Sequence, residues 1–181
     1  MLHDMRAIVV MGVTGCGKTS VATALGERLG ACLIEGDAFH PASNVEKMRA
    51  GTPLDDRDRQ GWLEQLGREL IHALASHDRA MLTCSALKRR YRDTLRNAVP
   101  NLGFVFLKLS PEDAIQRVSH RRGHFMPASL VDSQFRDLEP PVGEPRVLTV
   151  NALDSLPVIV ERVASWWHAP GVAAPGSTAG S

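Results

Sequence analysis

Ala7-Ile-Val-Val-Met11, followed at once by Gly12-Val-Thr-Gly-Cys-Gly-Lys18-Thr19, is the stretch that decides the fold. The first five residues are apolar and rich in β-branched side chains, the composition of a strand buried on both faces. The next eight satisfy G-x-x-x-x-G-K-[ST], and beyond them Val21, Leu25 and Leu29 recur every four residues as one helical stripe. Strand, glycine-rich loop and helix in that order form a phosphate cradle. The glycines let successive backbone N–H groups turn inward around an anion, and the helix start adds its own unpaired donors. Lys18 supplies a mobile cation for the β- and γ-phosphates of a nucleotide, and the Thr19 hydroxyl can ligate Mg²⁺. The nucleotide set is therefore Gly12, Val13, Thr14, Gly15, Cys16, Gly17, Lys18 and Thr19. At average composition the four fixed positions arise by chance in roughly 0.6% of chains this long, so a plain glycine turn explains them poorly. Cys16 reads as a small loop filler, not a redox group.

Downstream the same rhythm continues. Short apolar runs at 32–34, 80–84, 104–107 and 146–150 read as strands. Between them lie helical patterns: a short one opened by Pro41, a long one at 58–77 carrying Trp62, Leu66, Leu70 and Leu74, and one marked by Leu87, Tyr91 and Leu95. Ser110 can cap the next, with Pro111 in its first position and Glu112 and Asp113 at the positive end of its dipole. Two more carry Leu130, Val131, Phe135 and Leu138, and span 156–167, where Trp166 and Trp167 read as packing residues. Strands alternating with helices predict an α/β fold around a parallel sheet.

The 181 residues hold 21 Lys+Arg against 20 Asp+Glu, a formal charge of +1, which argues against a nucleic-acid or anionic-membrane binder driven by bulk charge. With 44% hydrophobic and 23% charged residues the chain can build a core, and one domain over 1–168 is expected. After it, 12 of the 13 residues at 169–181 are Ala, Gly, Pro, Ser or Thr, a composition that predicts a flexible tail. Neither a signal peptide nor a membrane span is read. The three cysteines are odd in number and lack paired metal spacing, as in a reduced, cytoplasmic protein.

A phosphate loop does not name a reaction. GTPases and motor ATPases usually carry an apolar strand ending in a magnesium-linked Asp, but here the third strand ends Thr83-Cys84-Ser85. The acidic group sits after the second strand, as Asp37. Ligands of open α/β sheets bind beyond the carboxyl ends of the strands, so Asp37 and the loop should face one crevice. There a carboxylate can orient and deprotonate a hydroxyl or hold a magnesium-bound water; the plainer role is to cap the turn before Pro41.

Taken with Gly36-Asp37-Ala-Phe-His40-Pro41, Asn44, Lys47-Met48, Gly51-Thr-Pro53-Leu54, Asp56, Asp58-Arg59 and Trp62-Leu63, the sequence resembles the small P-loop gluconokinases, relatives of shikimate and nucleoside-monophosphate kinases. Cys84-Ser-Ala-Leu-Lys88, Tyr91-Arg92-Asp93, Leu95-Arg96, Gly123-His-Phe-Met126, Ser133-Gln-Phe135 and Leu138-Glu139 continue the match. The resemblance implies transfer of the ATP γ-phosphoryl group to the 6-hydroxyl of D-gluconate. It also implies a five-stranded parallel sheet in the order 2-3-1-4-5, a lid at about 117–138 and commonly a homodimer.

Gluconate needs a carboxylate near its reacting hydroxyl and a cation at the far end. Asp37 suits the first; Arg59, Lys88 and Arg92 are candidates for the second, with His40 as a hydroxyl partner. Lys88 and Arg92 share a helix face at i, i+4 directly after a strand, whereas Arg89, Arg90 and Arg96 read as a solvated face. Arg117, Arg121, Arg122 and His124 form a second basic cluster, the lid by resemblance. Arg122 is the candidate to stabilise charge on the transferred phosphoryl group, making the catalytic set Lys18, Asp37 and Arg122. Arg121 is a nucleotide candidate and His124 a substrate candidate, and 151–154 is a weaker adenine candidate. The competing readings are a kinase for another small hydroxy acid, such as shikimate, and a non-catalytic ATP-gated binding module.

Overall fold

The structure, a computed structural model, describes residues 5–120 and 128–168. Its strands are β1 (Ala7–Met11), β2 (Cys32–Glu35), β3 (Ala80–Thr83), β4 (Gly103–Lys108) and β5 (Val147–Asn151). They form one parallel sheet in the order β2-β3-β1-β4-β5. The helices are α1 (Lys18–Leu29), α2 (Ala42–Arg49), α3 (Asp56–Ser76), α4 (Arg89–Ala98), α5 (Pro111–Ser119), α6 (Ala128–Asp137) and α7 (Leu156–His168), with a 3-10 turn at Gly36–Phe39. None is long and apolar enough to cross a membrane.

β1 occupies the centre because every one of its residues is buried, with Val9 paired to Leu82 on one side and Phe104 on the other. The alternation along β4 shows which helices cover which face. A side chain at Gly103 would meet Trp166 of α7, whereas the next residue, Phe104, lies under the Arg96 guanidinium of α4, 4.6 Å from its ring centre. Helices α7 and α4 therefore lie on opposite faces; α1 packs with α7 and α3 with α4, completing three layers. With β3 and β2 to one side of β1 and β4 and β5 to the other, the loop after β1 emerges at the switch point of the sheet.

Local signals set most helix starts, and two differ from the sequence expectation. Helix α3 begins at Asp56, two residues early, because Asp55 and Asp58 form a reciprocal capping box: each carboxylate accepts the other's N–H, at 2.7 and 3.0 Å. Helix α4 begins only at Arg89, since Ala86 in the preceding turn takes φ 47, a left-handed conformation that ends any helix there. Ser110 caps α5 as expected, accepting the Asp113 N–H at 3.2 Å.

Candidate active site

Two close backbone approaches shape the carboxyl edge of the sheet. A Cβ on Gly12 would lie 2.9 Å from the Leu107 carbonyl oxygen and 2.8 Å from Cys16 Sγ, so only glycine lets the loop leave β1 between its neighbours. A Cβ on Gly36 would lie 2.1 Å from the Thr83 carbonyl oxygen. Glycine there lets β2 press against β3 and then turn sharply, which brings Asp37 out at the edge with its side chain 86% exposed.

The phosphate loop follows from the first approach. Gly17 precedes α1 without a side-chain cap, which leaves first-turn N–H groups to an anion. Lys18 Nζ arches back and donates to the Gly12 and Val13 carbonyls, both at 3.1 Å. Thr19 Oγ1 donates to Glu35 Oε2 at 3.3 Å, and the same oxygen accepts from Thr83 Oγ1 at 2.7 Å. A hydroxyl beside a carboxylate is a donor set that fits Mg²⁺, which takes few protein oxygens and completes its shell with phosphate and water. Among the described residues no cluster of three or more His, Cys, Asp or Glu is gathered for a metal. Glu35 was visible in the sequence only as a strand end.

Lys18 and Asp37 line one cavity of about 80 Å³, together with Thr14, His40, Arg59, Trp62, Ser85 and Gln134. His40 stacks on Trp62 at 3.9 Å between ring centres, and Trp62 Nε1 donates to the Gly36 carbonyl at 2.8 Å, fixing α3 against the Asp37 turn. Burial pushes the His40 pKa below its usual 6.5; Asp37 opposes the shift and Arg59 adds to it. Its tautomer follows from Asn44. Asn44 Nδ2 donates to the Asp58 carbonyl at 2.9 Å, which fixes the amide, and lies 3.3 Å from His40 Nδ1. Nδ1 must accept, so Nε2 carries the proton, 3.7 Å from Asp37 Oδ1.

Of the three candidate cations for the far end of an acceptor, the structure brings only Arg59 to the cavity. It is 7% exposed, and Nη1 donates to the Tyr91 hydroxyl at 3.1 Å and to Asp137 Oδ2 at 3.2 Å. Among the described residues its Nε and Nη2 groups have no partner.

Lys88 and Arg92 require correction. Lys88 Nζ sits 2.9 Å from Asp56 Oδ1, outside the cavity lining, and Arg90 and the Tyr91 hydroxyl bind the same carboxylate. The Tyr91 hydrogen bond above all, then Lys88, holds the Asp56 carboxyl down at about 2. Arg92 is fully buried and its five N–H donors are all committed. They reach Glu144 at 2.7 and 2.9 Å, the Ala86 and Leu87 carbonyls at 2.7 and 3.0 Å, and the Glu139 carbonyl at 2.8 Å. Arg92 therefore holds the left-handed Ala86 turn, and with it Ser85, whose carbonyl accepts the Gly12 N–H at 3.3 Å. Arg96, expected on a solvated face, joins this network at 2.8 Å from Glu144 Oε2.

The second basic cluster divides. Arg117 belongs to α5 and donates to the Gly15, Cys16 and Ala152 carbonyls at 3.2, 3.4 and 2.9 Å, bracing the phosphate loop against the turn after β5. Beside it Asp113, Gln116, Arg117, His120 and Leu153 line a groove of about 300 Å³. Arg121, Arg122 and His124, like the expected tail at 169–181, lie outside the described residues. Cys84 is buried, and desolvation pushes its thiol up to about 12, which makes it inert.

A glycine-rich phosphate loop, a carboxylate across the crevice and a buried guanidinium beyond it define a nucleotide-dependent phosphotransferase of the P-loop kinase class. A family model described as an AAA domain matches residues 8–141. The chain is 46% identical to gluconokinase of Gluconobacter oxydans (strain 621H), over 87% of this chain and 89% of that one. It is 40% identical to the thermoresistant gluconokinase of Escherichia coli (strain K12), over 82% of this chain and 86% of that one. The crystal structure of a gluconokinase from Sinorhizobium meliloti 1021 superposes with a TM-score of 0.81 at 45% identity, covering 91% of this chain and 93% of that one. This chain belongs to the gluconokinase family.

Proposed function

We propose that this protein transfers the γ-phosphoryl group of ATP to the 6-hydroxyl of D-gluconate, giving ADP and 6-phospho-D-gluconate. The observation that carries the reading is one cavity lined by Lys18 of the phosphate loop, the Asp37 carboxylate and the Arg59 guanidinium. Extended gluconate places its reacting hydroxyl and its carboxylate roughly 6–7 Å apart, which calls for a base at one end and a cation at the other. Arg59 can grip the carboxylate through its uncommitted donors. Asp37 orients the 6-hydroxyl and accepts its proton as the oxygen attacks the γ-phosphorus and the bond to the ADP oxygen breaks. Lys18 leaves the loop carbonyls for the phosphates and meets the charge that develops on them.

Thr19, with Glu35 beside it, is the pair proposed to hold Mg²⁺, which supplies charge neutralisation on the phosphate oxygens. The groove between Arg117 and Leu153 suits the adenine. Arg122 is proposed to stabilise the transferring group, with Arg121 at the nucleotide and His124 at the substrate. A catalytic domain over 1–168, homodimeric assembly and work in a reducing, cytoplasmic setting complete the proposal; free Cys16, Cys32 and Cys84 agree with the last.

The test is steady-state ADP release with and without gluconate, in wild type and Asp37→Asn. Turnover should depend on gluconate, and the variant should lose about 10²-fold or more in kcat, the usual scale for a general base, with ATP affinity little changed. Near-normal kcat with weakened ATP binding would place Asp37 in the magnesium shell or the turn instead.

A further inference from the structure

We infer that the Gln134 carboxamide is a specificity-determining contact: its oxygen holds the phosphate loop while its nitrogen donates to a hydroxyl of the acceptor. The inference rests on the cavity between Lys18 and Asp37 being the gluconate site. Gln134 lies on α6, 120 positions from Thr14, whose N–H donates to Gln134 Oε1 at 2.7 Å. A backbone N–H can only donate, so this contact fixes which end of the amide is oxygen. Nε2, with two N–H donors, is the end left to a molecule in the cavity that Gln134 lines. It has no protein partner among the described residues.

Three further side chains of the lining also donate. His40 offers Nε2–H, a consequence of the Asn44 contact, and Lys18 and Arg59 are donors only. Among the described residues Asp37 is the one carboxylate in the lining. Such a cavity sorts the hydroxyls of a linear polyhydroxy acid by role. Those that accept from the walls are held in place, and the one that must surrender its proton faces Asp37. An acceptor lacking the hydroxyl opposite Gln134 leaves a desolvated donor unpaired, which discriminates more strongly than a lost apolar contact. The same side chain joins the two substrates' sites, since its other end accepts from the third residue of the phosphate loop.

Gluconate and ATP affinities, each measured by calorimetry on the full chain, separate contact from latch in Gln134→Glu, Gln134→Met and Arg59→Met. Gln134→Glu keeps an oxygen for the Thr14 N–H and removes the donor. Gluconate affinity should fall about tenfold or more while ATP affinity stays within about threefold. Gln134→Met removes both ends without adding charge, and should weaken gluconate to a similar extent. Wild-type gluconate affinity in Gln134→Glu, or an equal loss for both ligands, overturns the inference and leaves Gln134 a structural latch. If Arg59→Met also binds gluconate normally, the cavity assignment itself fails.

Discussion

Arg59 on α3 and Arg92 on α4 are both buried guanidinium groups, 7% and 0% exposed, on helices that pack against each other. Their donors separate them. Arg92 commits all five within the protein, to the Glu144 carboxylate and to three carbonyls around the Ala86 turn. Arg59 commits Nη1 to Tyr91 and Asp137, lines the cavity, and has no partner for Nε and Nη2 among the described residues. A buried cation with every donor satisfied organises backbone, whereas one with donors left beside a cavity can recognise an anion. Burial and charge alone cannot tell these roles apart.

The largest effect expected from the comparison is on stability. Arg92→Leu leaves Glu144, 2% exposed in its side chain, with Arg96 as its remaining cation, and frees the Ala86 turn. Breaking such a buried pair costs about 3–5 kcal/mol, which for a chain of this size lowers Tm on the order of 10 °C. Thermal denaturation measures it. A variant that melted like wild type but bound gluconate poorly would give Arg92 the role assigned here to Arg59.

The two arginines also differ in their reach to His40, whose pKa burial lowers and Arg59 lowers further. In Arg59→Met the His40 pKa should rise, followed by NMR titration; in Arg92→Leu at a temperature where it stays folded, it should not. The folded-state His40 value lies below the unfolded 6.5, so the unfolded chain binds the proton more readily. Stability should therefore decline as pH falls below 6.5. Asp56 adds a separate stabilisation, present above 3.8 and lost as pH falls from 3.8 towards about 2. Urea midpoints from pH 8 to pH 3 should show the first decline in wild type and lose it in His40→Asn.

The smallest effect is expected at Lys88, which sequence spacing placed beside Arg92 as an acceptor ligand. Its partly exposed pair with Asp56 is worth about 0–1 kcal/mol. Lys88→Met should leave the gluconate KM within about threefold, the scale of a lost surface contact. A tenfold rise would return Lys88 to the acceptor site.

What the sequence revealed was local. The strand, loop and helix around Gly12 to Thr19 read correctly because the motif is contiguous, and the place of Asp37 at the same sheet edge followed because it comes two residues after the next strand. The strand order came through resemblance, since no local pattern dictates which strands become neighbours. The α3 start was misread because its capping box is built from Asp55 and Asp58 where the familiar signature has Ser or Thr and Glu. Arg92 was misassigned because Glu144, 52 positions away in a proline-rich segment, consumes its charge. Gln134 escaped notice as a site residue because its partner Thr14 is more remote still, 120 positions away.

Which cation reads the acceptor's carboxylate can be settled with two substrates. D-Glucitol is gluconate with CH₂OH in place of the carboxylate, so the ratio of kcat/KM values for the pair isolates recognition of that group. Wild type should favour gluconate by about 10–100-fold, the value of charge-assisted hydrogen bonds from a guanidinium. In Arg59→Met the ratio should collapse towards one, while Lys88→Met retains it. A wild-type ratio persisting in Arg59→Met would contradict the assignment of Arg59 as the anchor.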